Sequence, residues 1–139
     1  AEVDVDKATG EVTVVDYVGV VDCGTVVNEN LARVQAEGGI GQGIGMALTE
    51  DVQRGPQGRM RTRTFMQYKI PSRLDIPRVR VDFCESYEPT GPYGAKSIGE
   101  VVINTPPPAI ASAIAHATGV YVRDLPITPE KILLGEREG

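Results

Sequence analysis

The sequence has one histidine, two cysteines and no tryptophan among its 139 residues. The two thiols, Cys23 and Cys84, lie far apart and form no C-x-x-C pair. This scarcity excludes a Cys/His zinc site or an iron–sulfur cluster built by this chain alone. Two reduced thiols are typical of a cytoplasmic protein, and the cytoplasm is the location that we expect.

Long apolar runs and an excess of positive charge are also absent. No stretch approaches the roughly 18 apolar residues that span a bilayer, so we expect no membrane partner. The formal net charge is −5, which disfavours non-specific binding of nucleic acid. With 41% hydrophobic and 24% charged residues, the composition is that of a globular domain. The chain opens on Ala1 inside a strand-like pattern, and we therefore expect a segment of a longer polypeptide.

The periodic patterns predict an α/β (α+β) fold, in which a mixed sheet carries a glycine-rich helix and a second helix. Alternating β-branched residues predict a hairpin over residues 1–22. Further alternation predicts strands over 60–68 and 79–83, and residues 121–125 are expected to be extended. Residues 88–103 are rich in glycine and proline, and we expect a loop there.

Three helices are predicted from apolar spacing and from capping residues. The glycine-rich helix is expected over 31–51, with Asn28 or Asn30 as its N-cap. A second helix is expected to begin after Thr105 as N-cap and to end at Gly119. Thr128 is predicted to cap a short last helix that runs through Leu134.

The glycine-rich helix contains five glycines, each costing about 1 kcal/mol relative to alanine in a helix interior. They are Gly38, Gly39, Gly41, Gly43 and Gly45. The pattern G-x-G-x-x-G fails in every register and no Lys-Ser/Thr follows, which disfavours both common phosphate-binding loops. The simplest interpretation is a face of small residues packed against a strand or helix, and a ligand pressed against the helix is the alternative.

A basic stretch provides eight of the fourteen basic residues between positions 54 and 80. With aromatic residues among them, it is broadly similar to a platform for single-stranded nucleic acid. Arg59, Arg61 and Arg63 alternate along the predicted strand, however, and such alternation is typical of a solvated face. Because the chain is acidic overall, we expect no nucleic-acid partner.

The loop Gly94-Ala95-Lys96-Ser97-Ile98-Gly99-Glu100 is the most informative stretch. Its carboxylate follows a glycine that allows close approach to a ligand, which suits a general base. The alternative is an ordinary loop carboxylate paired with Lys96, since structural ion pairs also place such groups together.

Five short segments occur in a fixed order along nearly the whole chain. They are Val21-Asp22-Cys23-Gly24 with Asn28; Gln35 through Gly45; Tyr68-Lys69-Ile70-Pro71 with Asp75-Ile76-Pro77; Gly94 through Glu100; and Leu125-Pro126-Ile127-Thr128-Pro129-Glu130-Lys131. In this order they resemble the C-terminal part of the molybdenum-binding (large) subunit of the xanthine dehydrogenase/aldehyde oxidase family. The resemblance implies that residues 1–139 are a single segment of a molybdopterin-binding domain.

The resemblance also implies roles for individual residues. Glu100 matches the catalytic glutamate, which takes a proton from a hydroxide on molybdenum. The oxygen then attacks an electron-poor carbon of a purine-like N-heterocycle or an aldehyde, and hydride passes to a sulfido ligand. The implied cofactor-binding residues are Gln35, Lys96, Ser97, Ile98 and Gly99. No residue of this chain is implied as a metal ligand.

The implied cofactor is molybdenum–molybdopterin, and the cytosine dinucleotide form stays open. Iron–sulfur and FAD centres are expected only on other domains or subunits. The expected partners are the rest of the molybdenum subunit, those other subunits and a small-molecule substrate, in an oligomeric assembly. In the family, much of the cofactor pocket lies upstream of this segment, so the fragment alone is expected to be inactive.

Two alternatives stay open from the sequence. One is a non-catalytic, free-standing paralogue that acts as a scaffold. The other is a small acidic domain that binds a ligand through the 94–100 loop. Val101 replaces the proline that usually follows the family's glutamate, which leaves the substrate class open.

Overall fold

A computed structural model describes residues 1–135, which form a three-stranded mixed sheet with helices packed on it. Strands β1 (Glu2–Val5) and β2 (Val12–Val21) pair in antiparallel fashion, which confirms the predicted hairpin. Strand β3 (Arg78–Phe83) pairs in parallel with β2, so the strand order is β1-β2-β3. The predicted mixed α/β fold is confirmed.

The glycine-rich helix, α1 (Glu29–Leu48), is the longest element. Asn28 is its N-cap, because the Asn28 side-chain oxygen accepts a hydrogen bond from the Leu31 amide at 3.0 Å. Gly39 and Gly43 face a short helix, α2 (Val101–Asn104), and the start of α3 (Pro106–Thr118). The interpretation of close packing between small residues and a neighbouring helix is therefore confirmed.

Helix α3 and the last helix begin and end close to the predicted positions, whereas α2 includes Val101–Ile103, which were expected to lie in the 88–103 loop. Helix α3 ends at Gly119, which adopts a left-handed φ of +76° as a C-cap. The Thr105 side chain does not cap α3, contrary to prediction, and the Tyr17 hydroxyl donates to its oxygen at 3.3 Å instead. Thr128 does cap α4 (Pro129–Leu134), as predicted.

The strand predicted over residues 60–68 is wrong. Met60 forms only an isolated bridge with Arg54, and turns follow it. Within residues 1–135, no strand of the sheet pairs with residues 60–68, and an alternating segment without a pairing partner does not form a strand. The arginines at 59, 61 and 63 are exposed, but not on a strand. Residues 121–125 likewise adopt irregular structure.

The hydrophobic core lies between the sheet and helices α1 and α3. Its largest fully buried side chains are those of Ile40, Val81, Pro106, Ile110, Ile114 and Ile127. Two further 3-10 turns, Pro56–Gly58 and Pro92–Gly94, lie in the connections. Within residues 1–135, no helix is long and apolar enough to cross a bilayer.

Candidate functional site

The residues that follow β2 hold the 94–100 loop against the end of the sheet. The Lys96 amide donates to the Cys23 carbonyl oxygen at 2.7 Å, and the Thr25 amide donates to the Gly94 carbonyl oxygen at 2.9 Å. Gly24 and Ala95 form an isolated antiparallel bridge between these two bonds. The first half of the loop is thus fixed by backbone pairing rather than left free.

Gly24 allows the backbone of the 94–100 loop to lie close to the end of β2. Its φ of +68° lies in the left-handed region, which side chains other than glycine rarely adopt. A Cβ at this position would also overlap the Gly94 carbonyl oxygen and would lie 2.9 Å from the Lys96 amide nitrogen. Both backbone conformation and space therefore require glycine where the loop meets the end of β2.

Asp22 binds the loop through its side chain. Its carboxylate accepts hydrogen bonds from the Lys96 ammonium at 2.6 Å, from the Ser86 hydroxyl at 2.6 Å and from the Gly24 amide at 3.0 Å. The Lys96 bond is the main cause that holds the pKa of Asp22 far below its usual value. The same bond raises the pKa of Lys96. The pairing of Lys96 with Glu100, considered from the sequence, is wrong because Asp22 is the ion-pair partner.

A cavity of about 550 Å³ lies between the loop and the first turns of α1. Four of the five predicted cofactor-binding residues line this cavity: Gln35, Lys96, Ile98 and Gly99. The Gln35 side-chain amide donates to the Gly99 carbonyl oxygen at 3.4 Å, which joins helix and loop. Ser97 is exposed and is not among the lining residues, although its hydroxyl accepts from the Gly99 amide at 3.4 Å.

Glu100 directly follows Gly99 and precedes α2. Its carbonyl oxygen accepts a hydrogen bond from the Ile103 amide at 3.0 Å, so its backbone belongs to the first turn of that helix. The Glu100 side chain is exposed and does not cap α2. Its carboxylate is thereby available to an external proton donor while its backbone is fixed.

Sequence reasoning missed the role of Asp22 and named it only within the segment Val21-Asp22-Cys23-Gly24. It also assigned no contact to Thr25, although Thr25 lines the cavity beside Asn28. A signal for Asp22 is present in the sequence, since it precedes a glycine by two positions at a strand end. Among residues 1–135, no group of three or more His, Cys, Asp or Glu side chains is arranged to hold a metal ion.

The chain is similar to known proteins over nearly its whole length. Residues 1–77, more than half of the chain, match the family described as molybdopterin cofactor-binding domain. The chain is 41% identical over 134 residues to probable hypoxanthine oxidase XdhD of Escherichia coli, which covers 96% of this chain. It is 38% identical over 135 residues to an aldehyde oxidoreductase of Megalodesulfovibrio gigas. These matches extend far beyond residue 77, yet the chain spans only 14% of either relative.

Solved structures of related proteins share the fold of this chain. Quinoline 2-oxidoreductase from Pseudomonas putida superposes with a TM-score of 0.89 at 36% identity, over 96% of this chain and 17% of that chain. The aldehyde oxidoreductase from Desulfovibrio desulfuricans superposes with a TM-score of 0.86 at 36% identity, over 96% of this chain and 14% of that chain. The fold described above is therefore one found within a quinoline oxidoreductase and an aldehyde oxidoreductase.

Proposed function

Because this chain belongs to the molybdopterin cofactor-binding domain family, we propose that it forms part of the cofactor and catalytic site of a molybdenum hydroxylase. The observation that carries the proposal is the cavity, which gathers four of the five residues expected to contact the cofactor. Residues 1–139 then act as one segment of a larger molybdopterin-binding domain. The short share of each relative that this chain spans supports a role within a longer protein.

The cavity suits a polar heterocycle that carries anionic groups. Its volume of about 550 Å³ lies within the range usual for small-molecule sites. Polar side chains from Thr25, Asn28 and Gln35 line it, together with apolar ones from Val26 and Leu31. Asn28 also marks the N-terminus of a 20-residue helix, where backbone amides favour negative charge. The residues present therefore fit a molybdenum–pterin group.

The residues divide into those that hold the cofactor and one that transfers a proton. Gln35 and Lys96, with the backbone from Ser97 through Ile98 to Gly99, hold the cofactor at the loop and α1. The molybdenum cofactor, when bound, supplies the two-electron redox chemistry of hydroxylation. Glu100 accepts a proton at its carboxylate, which its exposed position before α2 leaves accessible.

The proposed substrate is an N-heterocycle or an aldehyde. This class is supported by the printed names of the relatives, which include a hypoxanthine oxidase, a quinoline oxidoreductase and aldehyde oxidoreductases. The pterin is proposed to be molybdopterin, in its simple or cytosine dinucleotide form. Electrons leave through iron–sulfur and FAD centres on other domains or subunits, and these subunits and the rest of the molybdenum subunit are the proposed partners.

Glu100→Gln in the native protein that carries this sequence tests the proton-transfer role. Turnover is measured with hypoxanthine, quinoline and an aliphatic aldehyde, and molybdenum is quantified in each preparation. We expect turnover to fall about a hundredfold or more, because general-base catalysis contributes about that much. Molybdenum content is expected to stay unchanged, since the Glu100 side chain is not among the groups proposed to hold the cofactor.

Glu2→Gln is the matched control, since it removes an exposed carboxylate on β1 at the far edge of the sheet. It is expected to turn over like the wild type. Full activity of Glu100→Gln at full molybdenum loading would overturn the role of Glu100.

A further inference from the structure

Asp22 connects three separate segments of the chain. It follows the last residue of β2, where the Val21 carbonyl oxygen accepts from the Cys84 amide at 2.9 Å. One carboxylate oxygen receives the Ser86 hydroxyl from the segment after β3, and the other receives the Lys96 ammonium from the 94–100 loop. The side chain thus ties the loop to the parallel strand pair at the centre of the fold.

We propose that Asp22 is a positioning residue for Glu100, acting through Lys96 and Ser86. The inference rests on the proposed function, because it presumes that the placement of Glu100 matters for turnover. Asp22 does not line the cavity, so its influence on the reaction is indirect.

The two ends of the loop are held unequally. At the far end, the contact between Gln35 and the Gly99 carbonyl oxygen is long, at 3.4 Å. At the near end, the bond from the Lys96 ammonium to Asp22 is 2.6 Å long and joins two charged partners, and the bond from the Lys96 amide to the Cys23 carbonyl oxygen is 2.7 Å long. Lys96 lies four positions before Glu100, so its bond to Asp22 and its backbone bond to Cys23 together set where the segment that leads to Glu100 begins. A displacement of about 1 Å at a reacting group can reduce the rate by up to about a hundredfold.

The ion pair also sets the charge beside the cavity. Lys96 lines the cavity, and Asp22 balances its positive charge. Removal of the Asp22 charge takes away the ion-pair partner of the Lys96 ammonium next to the cofactor site, which then keeps the more distant attraction of the Glu88 carboxylate. Asp22→Asn therefore removes both the anchor of the loop and a local charge, whereas loss of the Ser86 hydroxyl removes only a bond that orients the Asp22 carboxylate.

The test uses the native protein that carries this sequence, with Asp22→Asn, Asp22→Glu and Asp16→Asn. Asp16 is the matched control, because it lies on β2 and forms an ion pair with Arg80 of β3 but has no hydrogen bond to the loop. We measure kcat, KM, molybdenum content and amide hydrogen exchange in peptides covering residues 94–100. Asp22→Asn is expected to lower kcat about tenfold with KM changed less than about twofold. The loop amides are expected to exchange about tenfold faster.

Two further results are expected if Asp22 acts through Lys96. Asp22→Glu, which keeps the charge, restores most of kcat and of the protection from exchange. Lys96→Met added to Asp22→Asn causes little further rise in the exchange of the loop amides, because residues that act as a pair are not additive. Asp16→Asn leaves kcat and exchange of the loop as in the wild type.

Three outcomes overturn the proposal. The first is wild-type kcat and wild-type exchange for Asp22→Asn while Glu100→Gln is inactive. The second is that Asp22→Asn and Lys96→Met have independent, multiplying effects on exchange of the loop amides. If Asp22→Asn does not fold, Ser86→Ala is tested in its place. Faster amide exchange of residues 94–100 in Ser86→Ala then supports the proposal, and unchanged exchange is the third contrary outcome. Activity of Glu100→Gln at full molybdenum loading would instead overturn the proposed role of Glu100, and hydrogen exchange would still report on the anchoring by Asp22.

Discussion

Asp22 and Gly24, two positions apart, act on the same loop through different physical properties. Asp22 supplies charge-assisted hydrogen bonds that hold Lys96, whereas Gly24 supplies the space that lets the loop approach. The backbone bond from the Lys96 amide to the Cys23 carbonyl oxygen lies between them. At the scale of single residues, the geometry of the site therefore begins at the end of β2 and not within the loop itself.

Comparison of Gly24→Ala with Gly58→Ala separates steric overlap from backbone strain. Both glycines have positive φ, +68° and +74°, but a Cβ at Gly58 would meet nothing within 4 Å. In both variants, the left-handed conformation is expected to lower the local opening free energy by about 1–2 kcal/mol. Gly24→Ala is expected to lower the local opening free energy by a further 1–3 kcal/mol, approximately, because its Cβ overlaps the loop backbone.

Hydrogen exchange at the Lys96 amide of the native protein measures the effect of Gly24→Ala, and exchange at the 55–58 turn measures that of Gly58→Ala. Equal losses in the two variants would contradict a steric requirement at Gly24.

The glycine-rich helix shows how packing determines the placement of an element. Gly43 lies against α2 and α3, where a Cβ would be 2.9 Å from the Ile103 carbonyl oxygen and 2.7 Å from the Pro106 ring. Helix α2 begins directly after Glu100, so the distance between α1 and α2 determines where that residue lies. Gly38, by contrast, has open space around it.

Gly43→Ala and Gly38→Ala are expected to change stability in opposite directions. Gly43→Ala overpacks a tight contact and is expected to lower the opening free energy of α1 by about 1–3 kcal/mol. Gly38→Ala raises helix propensity at an open position and is expected to increase it by up to about 1 kcal/mol. Hydrogen exchange of the α1 amides measures both effects. If Gly43→Ala instead raised the opening free energy of α1, α1 could move away from α2 and α3 without a loss of stability, which would contradict this account.

The sequence predicted elements well where local signals determine them. Periodicity predicted the β1–β2 hairpin and the apolar faces of the longer helices. Capping chemistry predicted Asn28 at the start of α1, Gly119 at the end of α3 and Thr128 at the start of α4. The strand predicted over 60–68 failed because a strand requires a partner, and alternation alone does not provide one. Thr105 failed as a side-chain cap because it contacts Tyr17, a residue 88 positions away.

At the scale of the whole molecule, the candidate site combines residues that are distant in the chain. The resemblance brought together Gln35 and the 94–100 loop, and the structure places four of those five residues around one cavity. The Asp22–Lys96 pair spans 74 positions, and no periodic pattern could predict it. It depends on the return of the chain to the end of β2, which is a property of the tertiary fold.

Molybdenum content per polypeptide in the native protein that carries this sequence tests the central claim most directly. Since the cavity between α1 and the 94–100 loop is proposed to hold a molybdenum–pterin cofactor, we predict close to one molybdenum atom per polypeptide by mass spectrometry of the purified protein. A molybdoenzyme produced in the same cells controls for pterin synthesis. Absence of molybdenum while that control is loaded would contradict the claim and would favour a non-catalytic scaffold.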